Sequence, residues 1–345
     1  MNYKDLCVQK ETSLQDAMRQ LDKTARKILF ICEGDSLAGS LTDGDIRRFL
    51  LNGGRMDAAV AQAANLKPRT AQSVQEARRL LAEEFYSAIP LVDSQDMLLD
   101  IVLPPKQNAP VYPQLGVPVA IMAGGKGTRL EPYTRVLPKP LIPVGELPII
   151  EHIMRRFEDY GCSAFHVIVN YKKQLMKAYF NESSRRYHVT WYDEERPLGT
   201  GGGLYLLKGQ MRETFFLTNC DILLRSNYES MLKFHRENGD AITMVGAYKS
   251  LILPYGVVDI GAGGIIEEMR EKPELSFLTN TGMYIVEPQV LEDIPDDTAI
   301  SFPEIMAMQQ EKGNKVSVYP VSEDEWMDMG ELTELEKMRK DLCGE

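Results

Sequence analysis

A glycine-rich stretch that directly follows an apolar run is the part of the sequence best suited to chemistry. The stretch, MAGGKGTRLEPYTRVLPKPLIPVGELPII, occupies residues 122–150, behind the apolar residues 117–123. Glycine allows backbone N–H groups to approach phosphate oxygens, and the dipole of a following helix or turn attracts the same negative charge. Arg129 adds a planar fork for phosphate oxygens, and Lys139 adds a compact charge held between two prolines. We therefore predict a phosphate-binding loop whose lysine loses little entropy when it meets a ligand.

The stretch differs from two familiar phosphate-binding motifs. It contains no G-x-x-x-x-G-K-S/T string, so it is not a Walker A loop, and G-K-G-T-R-L lacks the third glycine of the dinucleotide fingerprint. A glycine loop alone would most simply be a tight turn. The full string, G-G-x-G-T-R-L-x-P-x-T-x-x-x-P-K-P-x-x-P-V, is far more specific and indicates a dedicated site.

Acidic residues near predicted strands are the next candidates. Asp221 follows the apolar run TFFLTNC, so we expect it at the carboxyl end of a strand, where parallel sheets bind ligands. Its alternative role is to cap the next turn. Asp328 lies between two methionines in MDMG, where a turn aspartate is a strong competing interpretation. Cys220 has no histidine near it in sequence, so core packing explains it better than nucleophilic catalysis.

Composition excludes several classes of protein. With 345 residues, 44% of them hydrophobic, the chain can bury a large core, and we expect two domains. The net charge of -11 argues against a nucleic-acid partner, because such binding needs a basic face. The five cysteines form no CxxC pair and the four histidines show no metal spacing, which favours reduced thiols and a cytoplasmic protein. We expect no membrane partner, because no apolar run approaches the length of a span.

The first third of the chain contains a weak internal repeat. SLQDAMRQLDK, residues 13–23, aligns with SVQEARRLLAE, residues 73–83, and both are predicted to be amphipathic helices behind a capping serine. Two short apolar strands follow each helix. Residues 103–118 are rich in proline and lack periodicity, which is typical of a stiff linker. The predicted division is a small α+β domain, a linker and a larger domain, at residues 1–110, 111–117 and 118–345.

The larger domain alternates predicted strands and helices. Strands are predicted at residues 117–123 and in the runs FHVIVN, HVTWYD and TFFLTNC, with helical segments between them. Further strands are predicted in AITMVGAYK and LTNTGMYIVEP. This order predicts an α/β fold with a Rossmann-like sheet that is mixed but mainly parallel. In such sheets ligands bind at the carboxyl ends of the strands.

The long glycine and proline string resembles the N-terminal signature of the sugar-1-phosphate nucleotidyltransferases. The similarity covers residues 117–340, and ERPLGTGGGL, TNCDIL, YGVVDI, REKPE, NTGMYI and WMDMG follow in the order of the family. Cys220 is a departure, since the family often has glycine there. The resemblance implies a nucleotide site that consists of Gly124, Gly125, Gly127, Thr128, Arg129, Glu195, Gly199 and Thr200. It implies a sugar-phosphate site that consists of Gly256, Glu271, Lys272, Asn280, Thr281 and Gly282.

The reaction implied by this resemblance is the attack of a sugar 1-phosphate on the α-phosphorus of a nucleoside triphosphate, with release of pyrophosphate. Neither reactant needs a protein nucleophile, so catalysis consists of alignment and charge neutralisation. Arg129, Lys139 and Asp221 are the implied catalytic residues, and Lys272 would position the attacking phosphate. Asp221 and Asp328 are the implied ligands of Mg²⁺, which prefers a few carboxylates together with phosphate oxygens and water.

A second resemblance lies in the first domain. LAGSLTDGDIRRFLLNGG, residues 37–54, resembles the end of a CBS motif, and the repeat resembles a CBS pair, a module that often binds adenine nucleotides. By this resemblance Thr42 and Asp45 would face a ribose. The second copy, LLDIVLPP, has proline where the threonine, aspartate and helix should be. Two interpretations stay open, a sensor of a regulatory nucleotide and a packing or dimerisation module without a ligand in a homo-oligomer.

The glycine loop looks most like that of guanylyltransferases acting on mannose, heptose or amino-sugar phosphates. A CBS pair ahead of such a domain resembles the glucosamine-1-phosphate guanylyltransferases of legionaminic acid routes. GTP and a sugar 1-phosphate of glucosamine, mannose or heptose type are therefore the predicted substrates. One alternative is the same class of enzyme using UTP, CTP or dTTP with glucose 1-phosphate. The other is a catalytically silent sensor of sugar nucleotides or adenine nucleotides.

Overall fold

The structure, a computed structural model, describes residues 3–24, 27–83, 86–104, 112–181 and 188–343. The chain separates into two units, Met1–Val111 and Tyr112–Glu345. Of the proline-rich segment, residues 105–111 lie outside the described residues, and residues 112–118 contain no helix or strand. The second unit therefore begins with irregular chain that leads into its first strand.

The first unit contains the same order of elements, helix, strand and strand, in each of its two halves, as the sequence predicts. Its first half contains β1, α1, β2, β3 and α2, at Cys7–Gln9, Leu14–Thr24, Ile28–Glu33, Ser36–Thr42 and Asp43–Leu51. Its second half contains α3, β4 and β5, at Val74–Glu83, Ile89–Val92 and Leu98–Val102. β1 and β2 are parallel, whereas β2 with β3 and β4 with β5 are antiparallel. Helix, strand and strand thus occur twice, as α1-β2-β3 and as α3-β4-β5.

Thr42 and Asp45 have a structural role at the start of α2. Thr42 is the N-cap residue, and its hydroxyl and N–H donate to Asp45 Oδ2 at 2.6 and 2.8 Å. The Asp45 N–H donates back to Thr42 Oγ1 at 3.3 Å, and Arg48 forms an ion pair with Asp45. This capping box satisfies backbone donors that the first turn of a helix leaves without partners. Both residues predicted to bind a CBS ligand are therefore engaged in holding α2.

The second unit alternates strands and helices along the chain. β6 to β12 occupy Val119–Ala123, Pro143–Val144, Leu147–Pro148, Ala164–Val169, His188–Asp193, Phe215–Asn219 and Ile222–Leu224. β13 to β18 occupy Ile242–Ile252, Val257–Ile260, Ile266–Arg270, Glu274–Val286, Val316–Val321 and Trp326–Asp328. α4 to α10 occupy Tyr133–Val136, Ile149–Asp159, Lys173–Asn181, Tyr228–Asn238, Gln289–Glu292, Phe302–Glu311 and Leu332–Cys343. Among the residues described, no helix combines the length and apolar character needed to cross a membrane.

A seven-stranded sheet in the order β10-β9-β6-β11-β16-β13-β17 forms the centre of this unit. β10, β9, β6 and β11 run parallel to one another, and β13 is parallel to β17. β16 is antiparallel to both of its neighbours, β11 and β13. The sheet is therefore mixed and mainly parallel, and the predicted α/β fold class is confirmed. Three two-stranded ribbons accompany it, β7 with β8, β12 with β18 and β14 with β15.

The central strand β6 is buried along its whole length because both faces of the sheet are covered. Val119, Ile121 and Ala123 belong to one hydrophobic cluster, whereas Ala120 and Met122 belong to another. Successive side chains of a strand point to opposite faces, so the two clusters lie on the two sides of the sheet. Because the glycine loop starts where β6 ends, the two cores hold its starting point in place.

One segment of the second unit contributes little to these cores. β14, β15, the adjoining ends of β13 and β16 and the turn before β14 carry exposed side chains, including the large hydrophobic Leu251, Tyr255, Ile260 and Met269. We call this segment, residues 248–279, the arm. It contains several of the residues that the sequence resemblance assigns to the sugar phosphate.

We predict that Phe157→Ala destabilises the second unit by about 3–5 kcal/mol, because removal of a buried ring leaves a cavity. Phe157 is 1% exposed, and its ring centroid lies 6.4, 5.4 and 4.8 Å from those of Phe165, Phe216 and Tyr228. The measurement is the shift in the urea midpoint for unfolding of the second unit. Leu175→Ala, at a side chain that is 46% exposed, is the control and should change the free energy of unfolding by less than about 0.5 kcal/mol. Equal shifts in the two variants would contradict this account of the core.

Candidate active site

The glycine loop turns back toward Lys139. Gly127 has a φ of 66°, in the left-handed region that glycine adopts without strain. A Cβ at this position would lie 3.1 Å from Lys139 Cβ and 3.0 Å from Thr134 Cγ2. The Thr134 hydroxyl donates to the Gly127 carbonyl at 3.0 Å. Glycine at position 127 therefore serves both the backbone conformation and the close approach of the lysine.

A cavity of about 440 Å³ is lined by this loop and by residues that follow β11. Nine of the residues predicted from the sequence line it, namely Gly124, Gly125, Gly127, Thr128, Arg129, Lys139, Gly199, Thr200 and Asp221. Glu194, Asn219, Cys220 and Gly330 are also in its wall. The loop and the carboxyl ends of parallel strands thus converge, as in other ligand sites of open α/β sheets.

Lys139 and Asp221 form a largely buried ion pair in this cavity. Lys139 is only 9% exposed, and its ammonium group contacts Asp221 Oδ2. Burial by itself lowers the pKa of Lys139, but the negative charge of Asp221, helped by Asp328, raises that pKa above its usual value. The lysine therefore stays protonated and presents a fixed positive charge to the cavity.

Asp328 lies beside Asp221 because the ribbon of β12 and β18 pairs Ile222 with Asp328. Burial, followed by the negative charge of Asp221, raises the pKa of Asp328 to about 6, whereas Lys139 lowers it. A Cβ at Gly330 would lie 3.2 Å from Asp328 Oδ2, so the carboxylate rests against a residue of the cavity wall. Asp328 on β18 therefore lies close to Asp221 in the turn between β11 and β12, although Asp328 is not itself among the residues that line the cavity.

The chemistry of this carboxylate pair fits a magnesium ion. A divalent cation would neutralise the repulsion between the two carboxylates, which otherwise helps to raise the pKa of Asp328. Mg²⁺ prefers a few carboxylate oxygens and fills the rest of its coordination sphere with phosphate oxygens and water. Within the described residues, no group of three or more His, Cys, Asp or Glu side chains is placed to hold a metal. Asp221 and Asp328 thus suit a metal that binds together with phosphates better than a closed structural metal site.

Two further cavity residues differ sharply in exposure. Burial raises the pKa of Cys220 to about 12, so its thiol stays protonated, which agrees with a packing role. The side chain of Arg129 is 71% exposed, with its Nη1 3.6 Å from Glu331 Oε1. An exposed ion pair of this length contributes little free energy, so Arg129 is available to a ligand.

Glu194 is a candidate that we did not predict from the sequence. It follows β10 directly, is 4% exposed and lines the cavity. Burial raises the pKa of its carboxyl group to about 7, and Oε1 is buried without a hydrogen-bond partner. From the sequence we predicted the neighbouring Glu195, which is exposed and outside the cavity wall. The signal that could have identified Glu194 is its position immediately after a strand.

Glycine at two positions makes room for the Glu194 carboxylate. A Cβ at Gly203 would lie 2.2 Å from Glu194 Oε1, and a Cβ at Gly124 would lie 2.6 Å from Oε2. The Glu194 backbone is held by its N–H, which donates to Val169, and by its carbonyl, which accepts from Asn170 Nδ2 at 3.0 Å. A buried acceptor without a partner is costly, so this carboxylate is suited to a ligand that donates to it.

The loop at residues 195–203 is tied to the chain that precedes α9. Gly201 and Gly202 both donate their N–H groups to the Ile300 carbonyl at 3.0 Å, and the Phe302 N–H donates to Thr200 Oγ1 at 3.2 Å. Gly199 has a φ of +80°, and a Cβ there would lie 2.8 Å from the Ile300 oxygen. The helical segment predicted between the strands HVTWYD and TFFLTNC is a short 3-10 helix, Gly202–Leu207. Long-range hydrogen bonds thus position Gly199 and Thr200.

The residues predicted to bind the sugar phosphate are divided between two places, and none of the six lines the cavity. Asn280, Thr281 and Gly282 lie on β16, beside β11. The Thr281 hydroxyl donates to the Val245 carbonyl at 2.8 Å, and Asn280 donates to the Tyr284 hydroxyl. The other three, Gly256, Glu271 and Lys272, belong to the exposed arm.

Comparison with known proteins identifies two kinds of domain. The model of the family described as Nucleotidyl transferase matches residues 119–345, and the CBS domain model matches residues 1–52. Mannose-1-phosphate guanylyltransferase of Mycobacterium tuberculosis is 32% identical over 225 residues, 62% of this chain and 61% of that protein. The catalytic subunit beta of the mannose-1-phosphate guanylyltransferase of Drosophila pseudoobscura pseudoobscura is 34% identical over 227 residues, 63% of this chain and 60% of that protein. The chain thus spans about 60% of the length of these curated relatives.

A solved structure shares the fold. HddC from Yersinia pseudotuberculosis superposes with a TM-score of 0.52 and 22% sequence identity, over 65% of this chain and 99% of that chain. The resemblance drawn from the glycine and proline string is confirmed by these findings. Since the matching family model spans more than half of the residues and contains the loop, Lys139 and both aspartates, the chain belongs to the nucleotidyl transferase family.

Proposed function

We propose that the chain transfers a guanylyl group from GTP to a sugar 1-phosphate, releasing pyrophosphate. The observation that carries this proposal is the buried pair of Lys139 and Asp221 in a cavity lined by the glycine loop. The names of the relatives, mannose-1-phosphate guanylyltransferases at 32 and 34% identity, support the same reaction class. A silent sensor of sugar nucleotides would gain nothing from a buried lysine beside two carboxylates, because burial of such charges costs free energy.

The residues of this chain would act by binding, orienting and neutralising charge. The N–H groups of the glycine loop would cradle the triphosphate, and Arg129 would add a planar fork. Lys139 would stabilise the charge that develops as pyrophosphate leaves. Because the attacking phosphate oxygen is already ionised, no side chain has to remove a proton from it. Asp221 and Asp328 would hold Mg²⁺, which when bound neutralises charge on the phosphates.

The sugar phosphate is proposed to bind next to Asn219, a residue of the cavity wall. A Cβ at Gly282 would lie 2.5 Å from Asn219 Nδ2, so Gly282 on β16 packs against this residue of the wall. Glu271 and Lys272 of the arm complete the proposed set, with Lys272 positioning the attacking phosphate. A sugar of glucosamine, mannose or heptose type is part of this proposal.

Guanine is the base that best suits Glu194. A carboxylate accepts hydrogen bonds only, and the Watson–Crick edge of guanine presents two adjacent donors, N1–H and N2–H. Uracil, thymine, cytosine and adenine do not present two donors side by side on that edge. The buried Glu194 carboxylate in the cavity wall would therefore be satisfied by guanine and left unpaired by the other bases.

The first unit is proposed to assemble or regulate the enzyme. The capping box between Thr42 and Asp45 favours the packing and dimerisation interpretation, because both side chains already have partners. A regulatory nucleotide at these residues would have to replace those contacts. A cytoplasmic location is also part of the proposal, and Cys7, Cys32, Cys162 and Cys220 are free thiols, which agrees with it.

We predict that Lys139→Ala and Asp221→Ala each reduce kcat about 100- to 1,000-fold, because each removes an electrostatic contact to the reacting phosphates. The measurement is pyrophosphate release from GTP with mannose 1-phosphate, glucosamine 1-phosphate and a heptose 1-phosphate. Lys233→Ala, at an exposed lysine of α7, is the matched control and should retain the rate of the parent protein. Near-parental rates in both cavity variants would end the proposed function.

Glu194→Gln should lower kcat/KM for GTP about 10- to 100-fold, because one of the two donors of guanine loses a charged acceptor. The same change should leave kcat/KM for UTP and dTTP unchanged or raise it. Glu195→Gln is the matched control, since this neighbouring glutamate is exposed. A larger loss of GTP selectivity in Glu195→Gln than in Glu194→Gln would assign the base contact to Glu195, as first predicted from the sequence.

The affinity for GTP should also depend on the ionisation of Glu194. Its pKa is raised to about 7 by burial, and only the ionised form accepts two hydrogen bonds. Lowering the pH from about 8 to about 6 should therefore weaken GTP binding by about tenfold through this group. Calorimetric dissociation constants of the parent protein and Glu194→Gln measure the effect, and the variant should lack this component. An identical pH dependence in the two proteins would argue against the base contact.

A further inference from the structure

The second unit contains another cavity, of about 450 Å³, which shares no lining residue with the candidate active site. Its wall is formed by α5, by the end of β12 with the following turn, and by one residue each from the start of the unit and from α10. This volume lies within the range that holds small-molecule ligands in proteins. No step of the proposed reaction uses these residues.

Positive charge dominates the wall of this cavity. Arg155, Arg156 and Arg225 line it, against the single carboxylate of Asp159. The chain as a whole has a net charge of -11, so three arginines around one concave surface stand apart from the general composition. Converging guanidinium groups are the usual means by which proteins bind phosphate.

Arg156 is fixed in place by aromatic rings. Its guanidinium carbon lies 4.8, 5.1 and 5.5 Å from the ring centroids of Tyr112, Tyr160 and Tyr228. One of its terminal nitrogens donates to the Ser226 carbonyl at 2.9 Å, and its Nε is buried without a hydrogen-bond partner. The cation is therefore preorganised before a ligand arrives, which reduces the entropy lost on binding.

Arg155 and Arg225 are available to a ligand. Arg155 is 58% exposed in its side chain, and its Nε is 4.0 Å from the nearest oxygen of Glu151, at the limit of an ion pair. Arg225 uses one terminal nitrogen to donate to the Asp341 carbonyl at 3.1 Å. Its backbone N–H donates to the Glu325 carbonyl at 2.8 Å, which anchors the residue after β12. These contacts with the described residues use one nitrogen of each guanidinium group, which leaves other nitrogens of Arg155 and Arg225 for a ligand.

We propose that this cavity binds a phosphate-bearing metabolite, with Arg155 and Arg225 gripping the phosphate at the rim and Arg156 supplying a fixed charge deeper in the wall. Tyr112 and Leu223 offer apolar surface to the remainder of the ligand. Nucleotides and sugar phosphates share the required chemistry, a dianionic group on a body of moderate size. The site is independent of turnover at the candidate active site, so each can be tested without the other.

The experiment is calorimetric titration of the full chain with three probes, inorganic pyrophosphate, GDP and glucose 1-phosphate. It is done in the Lys139→Ala background, so that binding at the candidate active site is weakened. Adding Arg155→Gln or Arg225→Gln should weaken binding of at least one probe by about tenfold or more for each arginine, because each loses a charge-assisted hydrogen bond. If the arginine changes weaken GDP most, the ligand is a nucleotide, and if they weaken glucose 1-phosphate most, the ligand is a sugar phosphate.

Arg236→Gln is the matched control, because Arg236 is also an exposed arginine on a helix but is outside the cavity wall. It should bind every probe as the parent does. Thermal melts verify folding. Arg155→Glu, a reversal of charge at an exposed side chain, is a second variant and should abolish binding of the probe at this cavity. The proposal is overturned if both arginine variants bind all three probes as the Lys139→Ala parent does, or if Arg236→Gln loses as much affinity.

Discussion

The second unit is organised around a lysine ammonium group that is removed from water and kept charged by Asp221. Removing either partner would leave a buried charge unpaired, which is far more costly than losing an exposed ion pair. Several features of the chain bear on this contact. Two prolines restrict the backbone around Lys139, Gly127 lets the loop come close to it, and the carboxyl end of β11 delivers Asp221. A charge positioned in this way is ready to face phosphate without reorganisation.

Glycine has a second use in this site, which is to leave space for a side chain. Gly124 and Gly203 come from segments almost eighty residues apart, yet a Cβ on either would collide with the Glu194 carboxylate. The loop at Gly124 is therefore in contact both with the phosphate-binding region and with the buried acceptor proposed to read the base. Recognition of the two ends of a nucleotide would be coupled through one short segment of backbone.

Positively charged side chains line both cavities of the second unit, although the protein as a whole is acidic. In the candidate active site Arg129 and Lys139 are balanced by the carboxylates of Glu194 and Asp221, whereas the second cavity has three arginines and one aspartate. β12 connects the two regions, since Asp221 precedes it and Arg225 follows it. Its partner β18 carries Asp328, so the ribbon joins both proposed metal ligands to the rim of the second cavity.

The local parts of this architecture could be predicted from the sequence. Glycine and proline spacing indicated the loop, apolar runs indicated the buried strands, and the repeated helix pattern indicated the first unit, because each depends on neighbours within a few residues. The α/β class followed from the order of these elements. The division of the predicted sugar-phosphate residues between β16 and the arm could not be predicted, because it depends on how far the β13 and β16 strands extend beyond the sheet.

Burial and long-range proximity were decided by tertiary structure. Glu194 and Glu195 have the same chemistry and adjacent positions, and only the packing of Gly124 and Gly203 around one of them makes it the buried acceptor. The arginines of the second cavity come from α5 and from the turn after β12, about seventy residues apart. The sequence by itself indicated the glycine loop as a phosphate site and the strands that would carry it, but not the arginines of the second cavity. Which side chains lose their water and face one another was set by the folded sheet, because desolvation depends on atoms brought together from distant parts of the chain.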